Sequence, residues 1–208
     1  HIGPCDRERN LLKLIGDHRE TGVNYAYRAN LGSGEVTEMA HSDWGAFVAA
    51  ANADYTKAAI IESFTFGDHI LRLWEEGGDE LRLIYGTPLA DREDGTQVPL
   101  NSLGGGEFVN GDQGLLARAS IFDDAYGVVY LDFAKPQEAQ PVTVNGLVHT
   151  GEGEFTHLEH IAGEHFTLEY NIDGVNWVYE VRFDAPTLTM TVEQVLVGLR
   201  VDLPGQDL

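Results

Sequence analysis

Apolar residues occupy every second position from Phe166 to Ile172 and again from Val175 to Phe183, and the two runs are separated only by Asp173-Gly174. A period of two is that of a half-buried strand, and Asp-Gly suits a two-residue type I′ turn, in which both central residues take positive φ. The pattern predicts a β-hairpin that pairs Ile172 with Val175, Tyr170 with Trp177, Leu168 with Tyr179 and Phe166 with Val181, so that the large apolar side chains share one face. The other face carries His165, Thr167, Glu169 and Asn171 opposite Arg182, Glu180, Val178 and Asn176.

The amino-terminal pattern reads differently. Leu11, Leu12, Leu14 and Ile15, with Asp6 as N-cap and Gly16 near the end, predict a helix over residues 6–19. Ser42 heads a second predicted helix in which Trp44, Phe47, Val48 and Ala51 follow an i, i+3, i+4, i+7 spacing. Between them, residues 23–31 read as a strand with Tyr25 and Tyr27 on one face, and residues 35–40 as its partner after Gly32-Ser33-Gly34. From Lys57 onward the pattern is almost wholly β: a strand over 58–66, a hairpin over 70–85 turning at Glu76-Gly77-Gly78-Asp79, and strands over 115–122 and 126–133, the latter apolar on both faces. A third hairpin is expected over 142–148 about Asn145-Gly146. Leu188, Met190 and Val192 alternate in one phase and Val195, Val197, Leu199 and Val201 in the other, which predicts a β-bulge between Thr191 and Val195. Residues 86–114, with seven glycines and two prolines, read as a long irregular excursion, the first place to expect a lid or binding loop.

About a dozen strands joined by short turns, with no evident repeat of about 20–50 residues, lead to one expected domain over 1–208. It is a mainly β, antiparallel β-sandwich of jelly-roll type, with the helix-containing residues 1–56 packed on the β core. A calycin-like β-barrel is the alternative.

Charge narrows the partners. Thirteen Lys+Arg against 34 Asp+Glu give a net charge of −21, which repels nucleic acid and anionic membrane surfaces and leaves cations and neutral ligands. Cys5 is the single cysteine, so no internal disulfide or Cys-rich zinc site can form. The longest apolar run, residues 44–51, is too short to cross a bilayer, so no membrane insertion is expected. No signal peptide is visible, but the chain begins with His1, which leaves room for a removed leader, and the compartment stays open.

Two groups could carry chemistry. His149, His157, His160 and His165 are interleaved with Glu152, Glu154, Glu159 and Glu164, donors that suit a divalent metal; their spacing matches no established metal motif, so a metal is only the minor alternative and no metal ligand is assigned. On the polar face of the hairpin, His165 lies across from Arg182 and Thr167 across from Glu180, a set able to hydrogen-bond a sugar or to neutralise and deprotonate a uronate. The candidate ligand-binding residues are therefore His165, Glu180, Arg182, Thr167, His157 and His160. Weaker signals resolve into ordinary features: Asp91-Arg92-Glu93-Asp94-Gly95 reads as a turn, Gly104-Gly105-Gly106 lacks the helix and Lys of a phosphate cradle, and no nucleophile elbow is present. An amino-terminal His1 is shared with copper-binding oxidative enzymes, but nothing else in the chain matches them.

Residues 166–200, with F-T-L-E-Y-N-I-D-G-V-N-W followed by V-L-V-G-L-R-V, resemble the closing strands of concanavalin-like jelly-roll sandwiches over about a sixth of the chain. The resemblance implies two curved antiparallel sheets and carbohydrate binding or cleavage. The E-x-D-x-x-E strand of one hydrolase group with that fold is absent, and no catalytic residue carries over. The expected function is a non-catalytic glycan-binding or structural module with a carbohydrate or protein partner, within a larger extracellular or viral assembly. The runner-up is a lyase or isomerase working in a sandwich groove or barrel mouth, with His165, Glu180 and Arg182 as acid, base and charge clamp. The sequence does not decide between binding and catalysis.

Overall fold

The computed structural model describes residues 2–17 and 20–198. It contains four sheets, each built from consecutive strands and antiparallel throughout except for one short edge strand. Sheet I is β1 (Ile2–Asp6), β2 (Leu11–Asp17), β3 (Asn24–Asn30) and β4 (Val36–Ser42); sheet II is β5 (Ala46–Ala51), β6 (Lys57–Ser63), β7 (His69–Glu75) and β8 (Arg82–Tyr85). Sheet III is β9 (Gly106–Val109), β10 (Gly114–Ala119), β11 (Gly127–Asp132) and β12 (Ala139–Pro141). After β13 (Thr143–Asn145), sheet IV runs through β14 (Gly153–Ala162), β15 (His165–Ile172), β16 (Val175–Asp184) and β17 (Thr189–Val197), and β13 joins its outer edge parallel to β17.

The sheets pack face to face in chain order. Ala26, Met39 and Ala40 of sheet I meet Ala58, Ile60 and Trp74 of sheet II. Ala59, Ile61, Leu71 and Leu73 meet Leu115, Ala117, Val129 and Leu131 of sheet III. Leu116, Val128 and Tyr130 meet Phe166, Leu168, Tyr179 and Val181 of sheet IV. The leading strands lie side by side, β5 against β9 and β9 against β14. Among the described residues no comparable packing joins sheet IV back to sheet I. A radial row of four-stranded meanders is the construction of propeller blades, and it replaces the expected two-sheet jelly-roll sandwich and its calycin-like barrel alternative. Sheets II and III are buried on both faces, which is why 58–61 and 114–117 read as continuous apolar runs.

The two expected helices are also corrected. Among the described residues the one helical element is a 3-10 turn at Leu89–Asp91. Asp6 does bond the following backbone, with Oδ1 accepting from Glu8 N at 2.9 Å and Arg9 N at 3.0 Å, but it closes the β1–β2 turn. Ser42 Oγ likewise accepts from Trp44 N at 3.1 Å and Gly45 N at 3.3 Å in the link from β4 to β5. Side chains that cap helices serve tight turns by the same hydrogen bonds. Residues 18 and 19, at the end of the first expected helix, lie outside the described residues, as do His1, Leu199 and Val201.

The main hairpin forms in the expected register throughout, from Ile172↔Val175 to His165↔Arg182, with Asp173 at φ 50° and Gly174 at φ 79°. The hairpin over 70–85 also forms, as β7–β8, and the strands expected over 115–122 and 126–133 form as β10 and β11, which pair with each other. The third expected hairpin does not: Thr143, Val144 and Asn145 pair in parallel with Thr189, Met190 and Thr191. The 86–114 excursion contains β9 and is tied down at its start. Arg92 Nη1 and Nη2 donate to Asp68 Oδ2 and Oδ1 at 2.6 and 2.9 Å, and the guanidinium sits 5.0 Å over the Phe64 ring. Asn101 Nδ2 donates to His69 O at 2.8 Å. These contacts fasten the segment to sheet II.

At the rim of sheet IV, His149 packs among Tyr170, Trp177 and Tyr179, and its Nδ1 lies 2.7 Å from Tyr179 Oη. Burial lowers the His149 pKa from its ordinary 6.5. The unfolded chain therefore takes up this proton more readily, and stability contributed here falls as pH drops through 6.5 toward the lower folded value. A His149→Gln variant is expected to flatten that part of the stability profile between pH 7.5 and 5, measured by urea unfolding at stepped pH (about one histidine's worth of slope).

Candidate functional site

A cavity of 380 Å³ opens where the leading strands of sheets II, III and IV converge. The chain just past β5 supplies Asn52, β9 supplies Glu107 and Phe108, the turn after β9 supplies Asp112, and sheet IV supplies His160, Glu164, Phe166 and Phe183. Glu107 is placed by register. It pairs with Leu116 on the face of β9 that looks toward sheet IV, where His160 pairs with Phe166 and packs on its ring at 5.0 Å. Burial raises the Glu107 pKa above 4.5, while the backbone and charge of His160 and the charge of Lys13 pull it the other way. Lys13, on β2, is itself desolvated and its pKa is lowered; its ammonium lies 5.4 Å over the Tyr55 ring. Asp112 is held by Asn52 Nδ2 at 2.8 Å, and His160 Nε2 lies 2.9 Å from Gly163 O. Three acidic residues and three phenylalanines thus lie among the residues that line the cavity.

The second group lies on the opposite, exposed face of sheet IV. His165 Nδ1 stands 3.5 Å from Glu180 Oε1 and 3.2 Å from Glu193 Oε2, and Arg182 Nε stands 3.4 Å from Glu193 Oε1. Glu193 is delivered by the predicted bulge: Val181 pairs with Val192 and Glu180 with Gln194, which leaves Glu193 extra. Its presence changes the chemistry expected of this face. Arg182 already has a carboxylate partner, and two glutamates around one imidazole attract cations more readily than the carboxylate of a uronate.

The six sequence candidates therefore separate. His165, Glu180 and Arg182 come together, and Thr167 pairs with Glu180 on the same face. His157 pairs with Glu169 and is exposed, and among the described residues it has no ion pair with the His165 group. His160 faces the other way, into the cavity. Sequence reasoning missed Glu193, although the phase break around it was the available signal, and it missed Glu107, which sits in a four-residue strand inside a glycine-rich stretch with no periodicity to mark it.

No family model and no curated protein matches the chain. Solved structures do resemble it. TolB from Acinetobacter baumannii superposes with a TM-score of 0.57 at 10% identity, over 89% of this chain and 41% of TolB. Oligopeptidase B from Leishmania major gives 0.57 at 13% identity, over 92% and 25%. Prolyl oligopeptidase B from Galerina marginata, bound to a 35mer hydrolysis and macrocyclization substrate, gives 0.59 at 10% identity, over 92% and 26%. The chain spans less than half the length of each. At these identities the likeness concerns the fold. These neighbours are propeller-like, which overturns the expected jelly-roll glycan-binding or structural module and equally the lyase or isomerase placed in a sandwich groove or barrel mouth.

Proposed function

We propose that this chain is a propeller-type recognition module whose cavity between the leading strands takes a positively charged group with an apolar shoulder, the pattern of a lysine or arginine side chain on a peptide. The observation that carries this reading is Glu107, a half-buried carboxylate in a cavity also lined by Asp112, Glu164 and three phenylalanines. The carboxylates match the charge, the apolar part of the lining matches an alkyl stem, and the chain's net charge of −21 favours approach of a cation.

A desolvated carboxylate is unfavourable for folding, and its presence in a cavity lining supports a binding role. Its raised folded pKa means that the folded state holds the proton more tightly, so Glu107 opposes folding increasingly as pH rises above 4.5. Glu107→Gln is expected to leave stability at pH 7 unchanged or higher, by urea unfolding. The same variant should weaken binding of agmatine or of a lysine-containing peptide amide about 10- to 100-fold, the range for losing one charge-assisted hydrogen bond, by titration calorimetry. Equal affinity in the variant, or no binding of either probe to native protein at millimolar concentration, refutes the reading.

A further inference from the structure

We propose that His165, Glu180 and Glu193 form a binding site for a divalent transition metal on the exposed face of sheet IV, independent of the cavity at Glu107. The three residues come from β15, β16 and β17, adjacent strands whose register fixes their spacing. One donor atom from each lies within 4.8 Å of the others. The closest separations, 3.2 and 3.5 Å from His165 Nδ1 to the two carboxylate oxygens, match neighbouring ligands on one ion, since metal bonds of about 2.0–2.2 Å set adjacent donors about 3.0–3.5 Å apart.

A second observation separates this arrangement from a plain ion pair. His165 Nδ1 is shielded from solvent and has no hydrogen-bond partner, although both carboxylate oxygens are close. A solvent-shielded imidazole nitrogen with no hydrogen-bond partner, 3.2 and 3.5 Å from two carboxylate oxygens on a side chain that is otherwise 39% exposed, is available as a metal ligand. The bulge at Glu193 contributes too, because without the extra residue β17 would offer one carboxylate fewer to this face. One imidazole and two carboxylates suit zinc, manganese, cobalt or nickel, and three donors leave positions for water or a ligand; calcium, which takes six to eight oxygens, fits poorly. Arg182, 3.4 Å from Glu193, is the built-in competitor, a cation that the metal would displace from that carboxylate.

The competitor makes the test specific. Zinc and manganese chloride are titrated calorimetrically into native protein and into Glu193→Gln, His165→Gln and Arg182→Gln, with the melting temperature of each variant recorded in a chelator. The expected result is one zinc per chain in native protein, at least about tenfold weaker binding in Glu193→Gln and His165→Gln, and tighter binding in Arg182→Gln, with metal-free melting temperatures little changed. Zinc should also raise the native melting temperature by tying three strands together. Affinity unchanged in both ligand variants, or no zinc uptake by native protein at millimolar concentration, overturns the proposal. An Arg182→Gln variant that binds zinc less well than native protein overturns it as well, because the guanidinium would then support the site instead of competing for it.

Discussion

Leu115→Ala and Leu116→Ala are each expected to lower stability by about 2–5 kcal/mol, measured by urea unfolding of the single variants. The two leucines are consecutive on β10, so their side chains point to opposite faces, yet both are 0% exposed. Leu115 belongs to the core shared with sheet II and Leu116 to the core shared with sheet IV. A two-sheet sandwich buries one face of each strand, so one of the two truncations would fall on a solvent-facing side and cost little. Ile60 and Ile61 on β6, each 1% exposed, repeat the arrangement one sheet earlier. The cores they occupy are separate, so the losses from one leucine at each interface should be close to additive in a double variant unless β10 itself shifts.

Gly106→Ala is expected to cost about 3 kcal/mol or more, while Gly127→Ala stays within about 0.5 kcal/mol of native. Gly106 opens β9, and a Cβ there would be driven into the carbonyl oxygen of Leu116 and against Ala117 Cα, both backbone atoms of the neighbouring strand. Gly153, which opens β14, meets the backbone of Asn171 and Ile172 in the same way. Both leading strands thus start at a residue with no side chain, against the backbone of the strand they pair with. Gly127 opens β11 with open space where a Cβ would stand, no heavy atom lying within 4 Å, and its φ is not positive, so it reports the ordinary effect of adding a methyl group. The comparison is read from thermal and urea unfolding of the two variants.

Pairing between neighbouring strands was legible because it is set by period and turn chemistry. Asp173-Gly174 fixed the hairpin, and the phase break at 191–195 marked the bulge that brings Glu193 to His165. The number of sheets was not legible, because it depends on which faces meet across sheets, and the four meanders share no evident sequence repeat. Residues 44–51 illustrate the difficulty. Phe47 and Ala49 pack toward sheet III, and Ala46, Val48 and Ala51 toward sheet I, so both faces of β5 are apolar. A strand apolar on both faces satisfies a helical spacing as well as any other, and Trp44, which completed that spacing, is 63% exposed. The cavity was hidden for a related reason: Asn52 follows β5, Glu107 lies on β9 and His160 on β14, and no local pattern links them.

Methyl NOE spectroscopy on selectively labelled leucine, isoleucine and valine tests the ordered stack of sheets most directly. Leu115 methyls are expected to show NOEs to methyls of sheet II, among Ile61, Leu71 and Leu73, and Leu116 methyls to methyls of sheet IV, among Leu168 and Val181. Two adjacent leucines reporting two different sheets would establish that sheet III is packed on both sides. NOEs from both leucines to a single sheet, or a Leu116 with no NOE to sheet IV, would contradict the propeller-like arrangement and with it the cavity formed where the leading strands meet.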